Sequence, residues 1–330
     1  MIFKRLPKLK IAHLPTPLEP LSRLTSVLGG PEIWIKRDDQ TGLAGGGNKT
    51  RKLEYLAAAA RAAGANTLIT GGAPQSNHCR QTAAAAAALG FRCVLVLAGE
   101  PQPPTGNILL NQLLGAELVW AGGAMRDAAM QATFERQQAA GYAPYLIPYG
   151  GSSPIGAAAY ADAIEELAGQ LQAESLPPFD RIVFASSSGG THAGLAVGVA
   201  ALGWATQVLG ISIDKPLVEL TGDTVATLAT ETAALLGLES LFTAQNIFAN
   251  ADFLGGGYAV MGEAEAEAIR LLARTEGILV DPVYTGRAAA GLIELIRRGE
   301  IGPDERVLFW HTGGLPALFA PQYSAALAGA

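Results

Sequence analysis

The sequence predicts an α/β protein of two lobes, with parallel or mostly parallel sheets covered by helices on both faces. Three observations carry that expectation. Short apolar runs alternate with helical patterns along almost the whole 330-residue chain. The runs are nearly continuous rather than alternating in polarity, as strands buried on both faces are. Four of them end in turns rich in Gly, Ser, Thr or Asn, where open parallel sheets place ligands.

In chain order the expected strands are "EIWIKR" (32–37), "NTLITGG" (66–72), "RCVLVLAG" (92–99), "AELVWAG" (116–122) and "APYLIPYGG" (143–151). They continue with "RIVFASS" (181–187), "QVLGISI" (207–213) and "RVLFWHTGG" (306–314). Between them the spacing of apolar residues predicts helices over 50–63, 78–89, 106–114, 125–140, 155–172, 191–202, 262–276 and 286–298. The segment "QAESLPPFD" (172–180) is the clearest joint between lobes.

Composition bounds the function. Apolar residues make up 49% and charged residues 16%, enough for a large core and unlike a disordered chain. The net charge of −6 argues against a nucleic-acid binder, whose affinity rests on Lys and Arg neutralising phosphates. A small anionic ligand in a locally basic cleft remains compatible with it. The 2 cysteines, Cys79 and Cys93, build no disulfide framework. The basic start "MIFKRLPKLK" is followed by no apolar stretch and no small-residue cleavage site, and no run of about 18 apolar residues occurs. A soluble cytoplasmic protein with no membrane partner is the expectation.

Four strand-end loops hold the candidate chemistry: "GGAPQSNH" (71–78), "YGGSS" (149–153), "SSSGGTH" (186–192) and "HTGG" (311–314). In "RIVFASSSGGTHAGLAVGVA" a strand runs into a Ser/Gly loop that opens a helix. Unpaired N–H groups, the helix dipole and hydroxyls at such a start make an anion site, here Ser188, Gly189, Gly190 and Thr191. The alternative is an ordinary glycine-rich turn. Neither a Walker loop nor G-x-G-x-x-G is present. Ser76 and Asn77 either hold a carboxylate or cap the helix after them. Cys79 and His78 are neighbours on a helix, about 100° apart, so they do not form a nucleophile–base pair.

Tyr284 and Thr285 precede an apolar helix, as core residue and N-cap or as site residues. Thr312 ends the last strand, and His311 beside it reads as a buried, hydrogen-bonded histidine. The 4 histidines show no metal-ligand spacing, and no G-x-S-x-G elbow occurs. In "GGGNKTRK" (45–52), Lys49, Arg51 and Lys52 crowd a helix start, where cations oppose the helix dipole. Lys49 and Lys52, three apart, share a helix face. One can serve as a reactive amine and the other as an anion clamp; the bland alternative is a solvated basic end.

Taken together, "IKRDDQTGLAGGGNKTRKLEYL", "QSNHCRQTAA", "SSSGGTHAGLAVG", "LLARTEGILVDPVYTGRAAAGLI" and "HTGGLPALFA" resemble the fold-type II, tryptophan synthase β-like pyridoxal-phosphate enzymes. Within these the chain resembles the 1-aminocyclopropane-1-carboxylate deaminase/D-cysteine desulfhydrase family, over about residues 13–320. The resemblance implies pyridoxal 5'-phosphate carried on Lys49, with Lys52 and Ser188–Thr191 around its phosphate and Asn48, Asn77, Thr285 and Thr312 as further cofactor-binding residues. It implies a substrate-carboxylate loop at Ser76, Asn77 and His78, two active-site tyrosines at Tyr258 and Tyr284, and no metal. It implies a large domain of residues 1–47 and 159–330, a small domain of 48–158, a small amino-acid substrate and a homodimer.

Cyclopropane deaminases carry Glu and Leu where this chain has Thr285 and Thr312, and the threonine pair resembles the D-cysteine desulfhydrase branch. A threonine beside the pyridine nitrogen leaves it largely neutral, a weaker electron sink that suits loss of a good leaving group. The implied activity is β-elimination from D-cysteine to pyruvate, ammonia and hydrogen sulfide. L-cysteate sulfo-lyase and cyclopropane deaminase are the alternatives. A binding protein without turnover and a nucleotide-dependent oxidoreductase are the readings from other classes.

Overall fold

The computed structural model describes residues 3–328. A six-stranded sheet has the order β1-β2-β10-β7-β8-β9, formed by β1 (Leu18–Pro20), β2 (Glu32–Lys36), β7 (Arg181–Ser186), β8 (Gln207–Ser212), β9 (Phe248–Asn250) and β10 (Arg306–Trp310). A four-stranded sheet has the order β5-β4-β3-β6, formed by β3 (Thr67–Gly72), β4 (Arg92–Leu97), β5 (Glu117–Trp120) and β6 (Pro144–Leu146). All pairs are parallel except β1–β2. The mostly parallel α/β architecture expected from the sequence is therefore present.

The helices are α1 (Ser22–Leu28), α2 (Lys49–Ala62), α3 (Asn77–Leu89), α4 (Gly106–Leu113), α5 (Arg126–Ala139), α6 (Pro154–Ala173) and α7 (Gly190–Ala201). They continue with α8 (Thr227–Leu235), α9 (Glu263–Glu276), α10 (Thr285–Arg297) and α11 (Pro321–Ala328). A π-helical stretch, Glu219–Ala226, leads into α8. Helices cover both faces of the larger sheet: α9 and α10 pack over Ile33, Val183, Val307 and Phe309, and α6 and α7 over Ile182, Phe184, Leu308 and Trp310.

The expected strands are all trimmed at one or both ends, and two lose the most. The last ends at Trp310, because Gly313 and Gly314 adopt left-handed φ of 91° and 118°. The run 143–151 yields only Pro144–Leu146, after which Pro148, with no N–H to donate, leads into a 3-10 turn over Tyr149–Gly151. Both shortfalls become loop at the carboxyl edges of the sheets.

Close approach of α6 and α7 depends on missing side chains. A Cβ on Gly194 would collide with the Ala157 carbonyl, and one on Gly198 would lie 2.7 Å from Ile164. With Gly190 these form a row at four-residue spacing along α7, on one face of the helix. Among the described residues no helix is long and apolar enough to cross a membrane.

Candidate active site

A cleft opens at the carboxyl ends of both sheets. It is lined by Asn48 and Lys49 from the start of α2, by Ser76, Asn77 and His78 from the start of α3, and by Tyr149 and Gly150. The β7–α7 connection supplies Ala185–Gly189, Thr191 and His192, and Tyr284, Thr312 and Gly313 complete the wall. Ligand positions beyond strand carboxyl ends are the rule for such sheets.

Lys49 begins α2 because residues 45–47, with φ of 82°, 67° and 128°, make a turn that only glycine adopts without strain. Arg80 and Gln81 hold this loop from behind by donating to the Gly46 carbonyl. Lys52 is fully buried and Lys49 half-buried on the cleft wall, and the two amines interact with each other. Burial lowers Lys49 to about 8, with the Lys52 hydrogen bond opposing the drop. Burial, then the charge of Lys49, holds Lys52 well below the usual lysine range. Among the described residues no carboxylate lies in ion-pair distance of either amine.

Arg51 proves structural rather than solvated. Its guanidinium is 3% exposed and pairs with Asp38 and Glu166 at 2.9 and 2.8 Å. The backbone of Asp38 in turn accepts from Gly47 N–H at 2.9 Å, so this ion cluster anchors the loop that presents Lys49.

The β7–α7 connection is a glycine-bearing loop that opens a helix, as the sequence predicts. Gly189 takes φ 85° and Gly190 starts the helix. Gly190 N–H donates to Ser152 Oγ at 3.1 Å, and Ser152 Oγ–H to Ser188 Oγ at 2.8 Å. Asn48 Nδ2 donates to Thr191 Oγ1 at 3.0 Å, tying the lysine loop to the anion loop. A Cβ on Gly190 would sit 2.8 Å from Lys52 Nζ, so that glycine keeps the amine beside the loop. Lys52 and Gly190 do not themselves line the cleft but stand behind Lys49 and Ser188.

Ser76 caps α3 by accepting from Cys79 N–H at 3.2 Å, which leaves its hydroxyl proton free for the cleft. The Arg80 N–H goes to the Ser76 carbonyl. The N–H groups of Asn77 and His78 lack intrahelical acceptors at this helix start. The two readings of this loop, cap and carboxylate holder, are thus compatible. His78 behaves differently from Ser76 and Asn77. Thr70 Oγ1 donates to the Ile147 carbonyl at 2.9 Å, so its contact with His78 Nε2, also 2.9 Å, requires Nε2 to carry the proton. His78 Nδ1 is then a bare, unpartnered acceptor. Burial, then the charges of Lys49 and Lys52, lowers its pKa well below the usual value and keeps it neutral. A carboxylate can meet the His78 backbone N–H but gains nothing from this ring.

Tyr284 lines the cleft and its hydroxyl shares a 2.6 Å hydrogen bond with Tyr258, which stands behind it. Burial raises both phenols, Tyr284 well above 10. Thr312 lines the cleft; Thr285 does not. The Thr285 hydroxyl is committed to Asp281 at 2.7 Å and to the Gly313 carbonyl at 3.3 Å. The expectation that Thr285 itself meets a ligand, or caps α10, is corrected accordingly. Asp281 does the capping, accepting from the N–H groups of Val283, Tyr284 and Thr285. His311 is a buried structural histidine, bonded to the Leu279 carbonyl and Gly313 N–H at 3.0 and 3.1 Å. Cys79 is a packing residue whose thiol burial pushes up to about 12. Tyr149 was not singled out by sequence; its place in the flagged 149–153 loop was the available signal.

A family profile described as "Pyridoxal-phosphate dependent enzyme" matches residues 9–313. The chain belongs to the pyridoxal-phosphate dependent enzyme family. It is 44% identical over 323 residues to D-cysteine desulfhydrases of Salmonella newport and Salmonella enteritidis, covering 96% of this chain and of each relative. A crystal structure of an "ACC deaminase homologue" superposes with a TM-score of 0.88 at 36% identity, covering 98% of this chain and 96% of the other.

The residues present fit this cofactor. Two adjoining amines, one fully buried and one half-buried, without an internal carboxylate call for an anion, and the glycine-lined start of α7 supplies N–H donors beside them. Lys49, in the cleft and with a lowered pKa, is the amine suited to condense with an aldehyde. Among the described residues no His/Cys/Asp/Glu cluster could hold a metal ion.

Proposed function

We propose that the protein is a carbon–sulfur lyase acting as a D-cysteine desulfhydrase, giving pyruvate, ammonia and hydrogen sulfide. One observation carries the choice within the family: among the described residues, none lining the cleft bears a carboxylate, and Thr312 stands on the wall. A ring nitrogen held in this cleft would find the Thr312 hydroxyl and no acid among the described lining residues to keep it protonated. The weaker electron sink that results serves a reaction in which a leaving group drains the charge. The Salmonella relatives named above support the same substrate class.

Lys49 would carry the cofactor, and Asn48, Lys52 and residues Ser188–Thr191 would hold its phosphate. Bound pyridoxal phosphate supplies stabilisation of negative charge at the substrate Cα. Ser76 Oγ–H, the Asn77 amide and the N–H groups of Asn77 and His78 bind the substrate carboxylate. Lys49 Nζ, beside Lys52 at the cleft wall, would take the Cα proton. The Cβ–S bond breaks with its electron pair leaving on sulfur. Tyr284 donates a proton to that sulfur, since burial keeps the phenol protonated, and Tyr258 supports it through their shared hydrogen bond. The released 2-aminoacrylate hydrolyses to pyruvate and ammonia.

The two sheets support a small domain of 48–158 and a large domain of 1–47 and 159–330, although α6 runs unbroken through 158. We also propose a homodimer, on the family resemblance.

Side-by-side pyruvate release from D-cysteine, L-cysteate, D-serine and 1-aminocyclopropane-1-carboxylate tests the substrate. D-cysteine is expected to be preferred. Release from the cyclopropane compound alone would overturn the argument from Thr312, and preference for L-cysteate would make the leaving group sulfite.

A further inference from the structure

Asn107, the second residue of α4, is fully buried and outside the cleft, yet it holds a cleft residue by its side chain. Its Nδ2 donates to the Gln75 backbone carbonyl at 2.7 Å and to Asn77 Oδ1 at 2.9 Å. Its backbone N–H donates to Gln75 Oε1 at 2.8 Å, and Gln75 Nε2 donates to the Thr105 carbonyl at 3.0 Å. Gly106 permits this approach: a Cβ there would lie 3.0 Å from the Pro316 carbonyl and against Gln75 Oε1.

The polarity of this chain of bonds is fixed at one end. A backbone carbonyl only accepts, so the edge of the Asn107 amide facing Gln75 must be the NH2 group. The second proton of that NH2 group requires an acceptor, and Asn77 supplies its oxygen. The Asn77 NH2 group is thereby turned away from Asn107. We infer that Asn107 is a positioning residue that fixes the donor face of Asn77 toward the substrate carboxylate. An unrestrained asparagine presents oxygen as readily as nitrogen, and an oxygen facing a carboxylate repels it. This inference rests on the reading that Asn77 meets the carboxylate.

The test uses cofactor-loaded enzyme carrying Asn107→Leu, which deletes the donor, and Asn107→Asp, which offers only acceptors and turns the Asn77 amide round. Asn107→Ser replaces the leucine variant if that does not accumulate. Binding of alanine, in the enantiomer matching the amino acid turned over, and of ethylamine, which lacks the carboxylate, is read from the cofactor absorbance. Alanine is expected to bind about tenfold more weakly in Asn107→Leu, the loss of one charge-assisted hydrogen bond, and more weakly still in Asn107→Asp. Ethylamine binding is expected to stay within about twofold, and KM for the substrate to rise while kcat holds. Equal weakening of both ligands, or unchanged alanine binding, overturns the inference. Asn77→Ala separates the two layers. If it too leaves alanine binding unchanged, the carboxylate reading itself is wrong; if it weakens alanine while the Asn107 variants do not, only the positioning role fails.

Discussion

Replacing Arg51 by methionine should destabilise the protein more than any loss of exposed charge. Arg51 makes five hydrogen bonds: two to Asp38, two to Glu166 and one to Thr16. Asp38 is fully buried, and without Arg51 its carboxylate keeps only the hydroxyls of Thr16 and Tyr160, at 2.9 and 2.6 Å, as side-chain hydrogen-bond donors. Removing one member of a buried pair typically costs ~3–5 kcal/mol, because the remaining charge stays desolvated. Urea unfolding of Arg51→Met should show a loss in that range. The double variant Arg51→Met/Asp38→Asn should recover a large part of it, since both charges are then gone. A single-variant loss below ~1 kcal/mol, the range of exposed pairs, or a double variant that merely adds the two losses, would refute the anchoring role. Because the Asp38 backbone holds the Gly47 N–H, the same variant should also lower activity, by shifting the loop that presents Lys49.

Two further expectations concern the cleft. In cofactor-free protein Lys49, lowered to about 8 by burial, takes up fewer protons than the unfolded chain between about pH 8 and the usual lysine range near 10.4. The wild type should therefore gain stability relative to Lys49→Met as pH rises through that window, and Lys49→Met should be the more stable at pH 7; thermal melts at pH 7 and pH 10 decide it, and a constant difference between the two proteins would contradict the burial argument. Tyr284→Phe should cut kcat by about 10²-fold or more, as loss of a proton donor does, with Tyr258→Phe giving a smaller loss; steady-state assays showing Tyr258 to matter more would move the donor role to it.

Much of the architecture was legible because buried parallel strands write themselves as unbroken apolar runs, as in β4, β7 and β10. The strand-end loops were legible for the same reason, and residues of all four line the cleft. Charged residues were harder to read. Nothing local to "NKTRK" distinguishes a solvated arginine from Arg51, whose partners Asp38 and Glu166 lie 13 and 115 residues away. The two threonines looked equivalent until the fold committed Thr285 to Asp281. Asn107 carried no signal, since its meaning is the direction of one amide proton. The short edge strands β1 and β9 have only 3 residues each, too few for a periodicity.

The row Gly190, Gly194, Gly198 serves two purposes with one set of omissions. At one end it brings a helix start beside two amines; at the other it seats α7 on α6. Eight residues of helix span about 12 Å, so a methyl group added at Gly198 would wedge the helices apart at that distance and carry the loop of Ser188–Thr191 with them. With the phosphate held as proposed, anion affinity is thus partly decided at a position no ligand can reach. Drift in sequence along the helix contact would read out as altered cofactor retention, while every residue around the phosphate stayed the same.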